Sequence, residues 1–279
     1  MNYVGIRGHR GSGKKSFAAL LGNTMDILLK YPFTYRHYDR ETRYEFDNNY
    51  EEWVNAIMTS PNSIPPEIAD LKYVYLDAFG DIPKTFVQLM LGVTAEDLDN
   101  NDTKDNLIIN LKDFSKTWRD ELPEDLELMT AEQVYEMRYT MSAPSAIKFD
   151  AYMTLREFVL YFGKDVMQRY MGLNVWIKAL SANSELFNNL FSEDTSYKIY
   201  CDIKTKSEVS YVKDKGGIII KISRPNHKKA GRYVDDLRSD SRYDYTVTIN
   251  GDLMSVKEDV WKIANEIIRN THDKKEENN

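Results

Sequence analysis

Gly8-His9-Arg10-Gly11-Ser12-Gly13-Lys14-Lys15-Ser16 decides how this chain is read. The stretch has the spacing G-x-x-x-x-G-K, follows the short β-prone run at residues 3–6, and opens directly into a helical pattern. In that pattern Phe17, Leu20, Leu21, Met25, Leu28 and Leu29 recur every three or four residues, and Pro32 stands past the last of them. Glycines in such a turn let successive backbone N–H groups point inward around an anion. The helix start adds positive potential, and a lysine placed like Lys14 reaches the outer phosphates. The alternative is a purely structural glycine turn; the strand before and the helix after favour the phosphate site. Gly8, Gly11, Ser12, Gly13, Lys14, Lys15 and Ser16 are therefore the expected nucleotide-phosphate contacts.

Lys15 stands where this motif ordinarily carries the hydroxyl that ligates magnesium, and a hydroxyl follows at Ser16. A solvated first-turn side chain is one role for Lys15. Contact with a phosphate is the other, because a basic residue there opposes the helix dipole.

Working outward, residues 71–76 alternate as a second strand ending in Asp77, with a helical pattern at 85–91. Residues 197–202 form a third strand closed by the carboxylate of Asp202. Residues 218–222 are apolar apart from Lys221, as in a strand buried on both faces, and 245–249 give a fifth. Helical patterns separate the strands, an alternation that calls for a parallel sheet covered on both sides. Thr154 and Glu157 match a capping box, with Leu155, Phe158, Val159 and Phe162 lining one helix face behind it. Two stretches read as insertions: 31–70, with one helix near 50–58, and the charged, mostly helical 100–150. A short helix through Val209 and Val212 leads to the Gly216-Gly217 turn. The last helix covers about 256–268, with a polar, frayed tail at 273–279. With no repeat and no dividing linker, a single domain over 1–279 is expected.

Composition sets the outer limits. Among 279 residues, 42% are apolar and 29% charged, with 8 Pro and 13 Gly, which excludes wholesale disorder and fibrous repeats. The 37 basic and 44 acidic residues leave a net charge of -7, the wrong sign for a chain whose main work is to coat nucleic acid. No apolar run approaches the roughly 20 residues of a membrane span, and residues 1–5 lack the layout of a signal peptide, so a cytoplasmic location is expected. A lone cysteine, Cys201, excludes a multi-cysteine metal site. His9, His37, His227 and His272 have no mutual spacing suited to a metal.

Three further segments resemble the deoxynucleoside monophosphate kinases of tailed bacteriophages. One is Phe79-Gly80-Asp81-Ile82-Pro83-Lys84, similar to a Phe-Ala-Asp-Pro-x-Lys segment that follows a strand in that family. Another runs Thr154, Arg156, Glu157, Gly163, Asp165, Arg169 and Trp176, and a third comprises Asp202, Lys204, Glu208, Gly216-Gly217 and Arg224-Pro225. With the loop and the final strand running into Asn250-Gly251, the likeness covers about two thirds of the chain and rests on the number and order of the segments. It implies an α/β, three-layer fold of the P-loop NTPase type with a five-stranded parallel sheet and helical insertions. It also implies ATP and Mg²⁺ as cofactors, a deoxynucleoside monophosphate as acceptor, and a host cytoplasm as location. A homodimer is compatible with this, and neither a membrane nor stable nucleic-acid binding is expected.

In that reading Arg156 and Arg169 clamp the acceptor phosphate with forked donors, Trp176 offers a face to a base, and Phe79, Asp81 and Lys84 complete the acceptor side. Core packing for Trp176 and simple exposure for Arg156 remain alternatives. Lys14, Asp202, Lys204 and Glu208 form the catalytic set, with Ser16 and Asp202 toward the metal. Lys204 would neutralise charge on the moving phosphoryl group, and Glu208 would orient it or share the metal shell; a solvated Glu–Lys pair is the plainer alternative. Arg232 and Arg238, in the basic stretch 224–242, are lid candidates by the same resemblance, or part of a solvated loop. The family commonly has an acid where Lys15 stands and arginine where Lys204 stands, and Leu160 and Lys164 replace Gln and Thr. These departures support a second expectation, a catalytically weakened nucleotide-binding module on the same scaffold. A kinase for another small acceptor, such as dephospho-coenzyme A, is a third.

Overall fold

Five strands form where the apolar runs place them, and they lie side by side in one all-parallel sheet. The computed structural model describes residues 1–9, 11–31, 38–60, 65, 68, 70–124, 126, 128–130, 133, 152–172, 174–187, 196–225 and 242–277. In chain order the first elements are β1 (Asn2–Gly8), α1 (Lys14–Lys30), α2 (Tyr38–Thr59), β2 (Val74–Asp77), α3 (Asp81–Leu91), α4 (Ala95–Asp99), α5 (Asn101–Asn106), β3 (Leu107–Asn110), β4 (Lys116–Trp118) and β5 (Tyr152–Thr154). There follow α6 (Leu155–Leu160), a π-helical stretch Tyr161–Gln168, α7 (Val175–Phe187), β6 (Tyr197–Ile203), α8 (Lys206–Asp214), β7 (Ile218–Ser223), β8 (Tyr245–Thr248) and α9 (Lys257–Glu277). The chain gathers into two compact units, Met1–Phe79 with Ala182–Asn279, and Gly80–Ser181.

In the first unit the strand order is β2-β6-β1-β7-β8, every neighbouring pair parallel. Period-two alternation sends Val4 and Ile6 of β1, Ile199 and Cys201 of β6, and Ile220 and Ile222 of β7 into one core, where α1, α2 and α9 supply Phe17, Leu20, Leu21, Phe46, Tyr50, Val260 and Ala264. The other face is more polar. There Lys198 is buried and its Nζ lies 2.7 Å from Asp77 Oδ2, with the rings of Tyr75 and Tyr200 5.1 and 5.4 Å from the ammonium. Phe79 and Tyr200 stack with ring centroids 4.6 Å apart. Helix α8 buries Val209 and Val212 and then turns through Gly216 and Gly217; a Cβ on Gly217 would stand 2.7 Å from the carbonyls of Tyr3 and Val212, so only glycine admits this approach.

Three expectations on element extent need correction. β2 begins at Val74, because the amide of Tyr73 is taken by Asp26 Oδ1 at 2.6 Å. The helix expected near 50–58 is α2, 22 residues long, anchored by buried Phe46 and Tyr50. The final helix runs on through Glu277, since the Lys and Glu of the tail are strong helix formers, so the frayed tail expected from Asp273 is helical to that point.

The second unit corrects a larger one. Residues 100–150 are not a purely helical excursion: β3 is flanked by β4 and β5 in an antiparallel three-stranded sheet, with Ile108 opposite Thr117 and Thr154. All four residues of β3, Leu-Ile-Ile-Asn, are buried. Leu107 and Ile109 meet Val87, Leu91, Leu98, Met153, Leu155 and Phe158 in a separate core, which outweighs the helical composition around them. Thr154 ends β5 and caps α6 as its sequence predicts: Thr154 Oγ1 accepts from the Glu157 amide at 3.2 Å, and Glu157 Oε2 accepts from the Thr154 amide at 3.3 Å. Among the described residues, no helix is long and apolar enough to cross a membrane.

Candidate functional site

From β1 the chain runs to β2, returns to β6 beside β1, and then fills the other side with β7 and β8. The strand order reverses at β1, and ligands of open parallel sheets bind outside the carboxyl ends of the strands at such a point. Gly8 to Gly13 leave β1 there, and Asp202 approaches the end of β6 alongside; the β1–β6 register shifts between Gly5 and Arg7.

The loop has the backbone its glycines require. Gly11 and Gly13 adopt φ of 75° and 88°, the left-handed region that L side chains rarely enter. A Cβ on Gly8 would fall 2.5 Å from the Ile222 carbonyl oxygen and 2.6 Å from Ser12 Oγ. Helix α1 starts behind Gly13 with no side-chain cap and no acid in its first turn, which instead carries Lys14 and Lys15. Its amide end is therefore uncompensated, the condition that favours a bound anion. Ser12 is buried, and its hydroxyl has no hydrogen-bond partner among the described residues.

Lys14 folds back into its own loop. Its ammonium donates to the carbonyls of Gly8 at 2.8 Å and His9 at 2.9 Å, and lies 3.3 Å from Asp202 Oδ1. The last contact is an ion pair without hydrogen-bond alignment, so Oδ1 stays buried and without a hydrogen-bond partner among the described residues. Asp202 Oδ2 is 2.6 Å from the Lys204 ammonium. Burial opposes the charged carboxylate, but attraction to Lys204 and Lys14 outweighs it and holds Asp202 below its ordinary value.

Glu208 is placed differently from the expectation. Its Oε2 accepts from the backbone amides of Lys204 at 2.6 Å and Thr205 at 2.9 Å, while Thr205 Oγ1 accepts from the Glu208 amide at 3.2 Å. Thr205-Lys206-Ser207-Glu208 is another capping box, and the T-x-x-E signal that identifies Thr154 and Glu157 was available for it. Burial pushes the Glu208 carboxyl up, against the pull of those amides.

Ser16 lies half-buried in the first turn of α1. Its hydroxyl and the Asp202 carboxylate are hard oxygen donors of the kind magnesium takes together with phosphate and water, and the orphaned Asp202 Oδ1 has capacity for such a shell. No three His, Cys, Asp or Glu converge among the described residues, so a cation here would depend on phosphate and water for the rest of its ligands.

The residues expected on the acceptor side divide between the units. Phe79 belongs to the first, buried against Tyr200 and Tyr211. In the second, Asp81 opens α3 and is exposed, while Lys84 pairs with Asp99 Oδ1 at 2.7 Å and with Asp81 Oδ1 at 3.5 Å. Arg156 lays its guanidinium along the Asp105 carboxylate, with Nη2 3.0 Å from Oδ2, and reaches Asn101 Oδ1 at 3.1 Å. Trp176 is buried, donates from Nε1 to the Gly163 carbonyl at 2.8 Å, and has Phe86 and Phe162 at centroid distances of 6.0 and 6.3 Å. Arg169 is exposed, its guanidinium 5.8 Å from the Tyr170 ring. Arg232, Arg238, His37 and His227 lie outside the described residues. Arg242, at the end of the basic stretch, donates to Ser210 Oγ at 2.9 Å.

Neither a protein-family model nor a curated protein matches the chain.

Proposed function

We propose that the chain is a P-loop NTPase-type kinase that transfers the γ-phosphoryl group of ATP to a deoxynucleoside monophosphate, giving the diphosphate. The observation that carries this reading is the convergence at the switch point of a glycine turn, an uncapped helix start, Lys14 and Asp202. The choice of acceptor rests on the resemblance of segments 79–84 and 154–176 to the phage kinases.

Phosphoryl transfer needs little covalent help from a protein; positioning and charge stabilisation do most of the work. The loop amides and the α1 terminus hold the donor phosphates, and Lys14 exchanges its loop carbonyls for phosphate oxygens. Magnesium, when bound near Ser16 and Asp202, neutralises charge on the transferred group. Lys204, just past the end of β6 beside the loop, adds a second cation on that side. Arg156 and Arg169 bind the acceptor phosphate, and Arg156 must then exchange Asp105 for it.

A coupled assay with each of the four common deoxynucleoside monophosphates tests the proposal. Turnover with at least one is expected, with Lys14→Met lowering kcat/KM by about 10²–10³-fold. No turnover from a folded chain that binds ATP supports the second reading, a nucleotide-binding module. That reading is favoured by Arg156 being held by Asp105 and by the burial of Trp176.

A further inference from the structure

We infer that Trp176 is a positioning residue: its indole N–H fixes the π-helical stretch Tyr161–Gln168, and with it the direction in which Arg169 leaves that stretch, while the ring stays enclosed instead of meeting a base. The task given to Arg169 rests on the kinase reading; the hold on the helix does not.

α6 starts as an ordinary capped helix at Leu155, but from Tyr161 to Gln168 the backbone winds in wider turns whose hydrogen bonds close i→i+5. Such turns are rare, occur mostly singly and are frequent at functional sites. A side chain reaching into the carbonyl row is one of the causes that divert a helix from its i→i+4 ladder. Here that side chain is Trp176, which donates from Nε1 to the Gly163 carbonyl at 2.8 Å from the first turn of α7. Glycine is a poor helix former, so the ladder is weakest at the residue the indole engages. The indole is 6% exposed, with the rings of Phe86 and Phe162 packed against it. A base cannot stack on a ring so enclosed without first unpacking it. Arg169 is the first residue past the wide turns. In an unbroken α-helix it would lie about 140° around the axis from Arg156, thirteen residues earlier. Wide turns wind less per residue and so change that angle. Trp176 therefore reaches the acceptor side through the register of this helix.

The test compares the full parent chain with Trp176→Phe and with a chain carrying benzothienylalanine at position 176, an isostere that has sulfur in place of the N–H and keeps the packing. The indole N–H signal of Trp176, assigned by its loss in Trp176→Phe, should exchange slowly in the parent and stay in place as deoxynucleoside monophosphates are added. In both altered chains the backbone amides of 161–168 should exchange about five- to hundredfold faster, since a buried carbonyl has lost its donor, with the amides of β1 unchanged. Each should raise KM for the acceptor about tenfold, with kcat within about twofold and KM for ATP unchanged. Parent-like exchange at 161–168 in both altered chains overturns the inference, as does an indole signal that moves with the acceptor, the mark of a stacked base. Faster exchange with an unchanged acceptor KM breaks the link to Arg169 and overturns it too. Faster exchange in a chain that turns over no deoxynucleoside monophosphate keeps the hold on the helix and removes the kinase reading.

Discussion

The charge and the shape of Glu208 act in opposite directions on stability. Its acceptor oxygen caps α8, while burial raises its pKa, so the folded chain holds this proton more tightly than the unfolded chain does. For an acid shifted upward, the contribution to stability is full below the ordinary value of 4.5 and is lost as pH rises through the raised folded value. Glu208→Gln keeps an acceptor and removes the charge; urea denaturation between pH 4 and 8 should show a flatter profile and no loss of stability at pH 7. Glu208→Ala removes the cap together with the titrating carboxyl, so its cost of about 1 kcal/mol should be largest below the ordinary value of 4.5 and shrink as pH rises through the raised folded value. Gly8→Ala tests the loop in the same way: with the Ile222 carbonyl 2.5 Å from the new methyl group, the backbone has to shift, costing about 1–3 kcal/mol and weakening binding of the ATP analogue in calorimetry.

Between elements, the tie with most at stake is Lys198 to Asp77, which joins β6 to the edge strand β2 inside the protein. Lys198→Met leaves the partly buried Asp77 carboxylate with the Ala78 amide but without its cation, and should destabilise by about 2–4 kcal/mol in thermal or urea melts. Adding Asp77→Asn should recover much of that, because a neutral pair carries little desolvation penalty. Neither residue stands out in sequence, since a lysine inside an apolar strand reads as an interruption until its partner is in place. The five parallel strands were legible because runs such as Ile218 to Ile222 are apolar on both faces. The antiparallel sheet was not. β3 offers only four residues, β4 is Lys-Thr-Trp with two exposed positions, and β5 joins from more than forty residues away. The candidate site divides along the same line: the loop and Asp202 follow from a local motif, whereas the hold of Asp105 on Arg156 is a contact between residues 51 apart.

Across the whole molecule, acid should unfold the chain through a few defined pairs. Arg43 joins α2 to α9 by grasping Glu258 with both terminal nitrogens and Asp47 with Nε, with its guanidinium 5.3 Å from the Phe46 ring and 5.2 Å from the Trp261 ring. Hydrogen bonds from Arg43 hold both carboxyls below their ordinary values of 3.8 and 4.5. For acids shifted downward, the contribution is present above those values and is lost as pH falls through the lowered folded ones. Arg43→Met should therefore make stability less steep in pH below about 4.5, which urea titrations from pH 5 to 2.5 would measure.

The strand that bears the glycine loop sits in the middle of its sheet, and its neighbours on both sides come late: Asn2 pairs with Tyr197 and Val4 with Ile218. During synthesis, at about 5–20 residues per second, that strand leaves the ribosome roughly 10–40 s before either neighbour exists. Until then α1, with its apolar face of Phe17, Leu20 and Leu21, has no finished sheet to rest on. The nascent chain therefore spends that interval with greasy surface in water, and chaperone supply should govern how much of it reaches the native state in the cell.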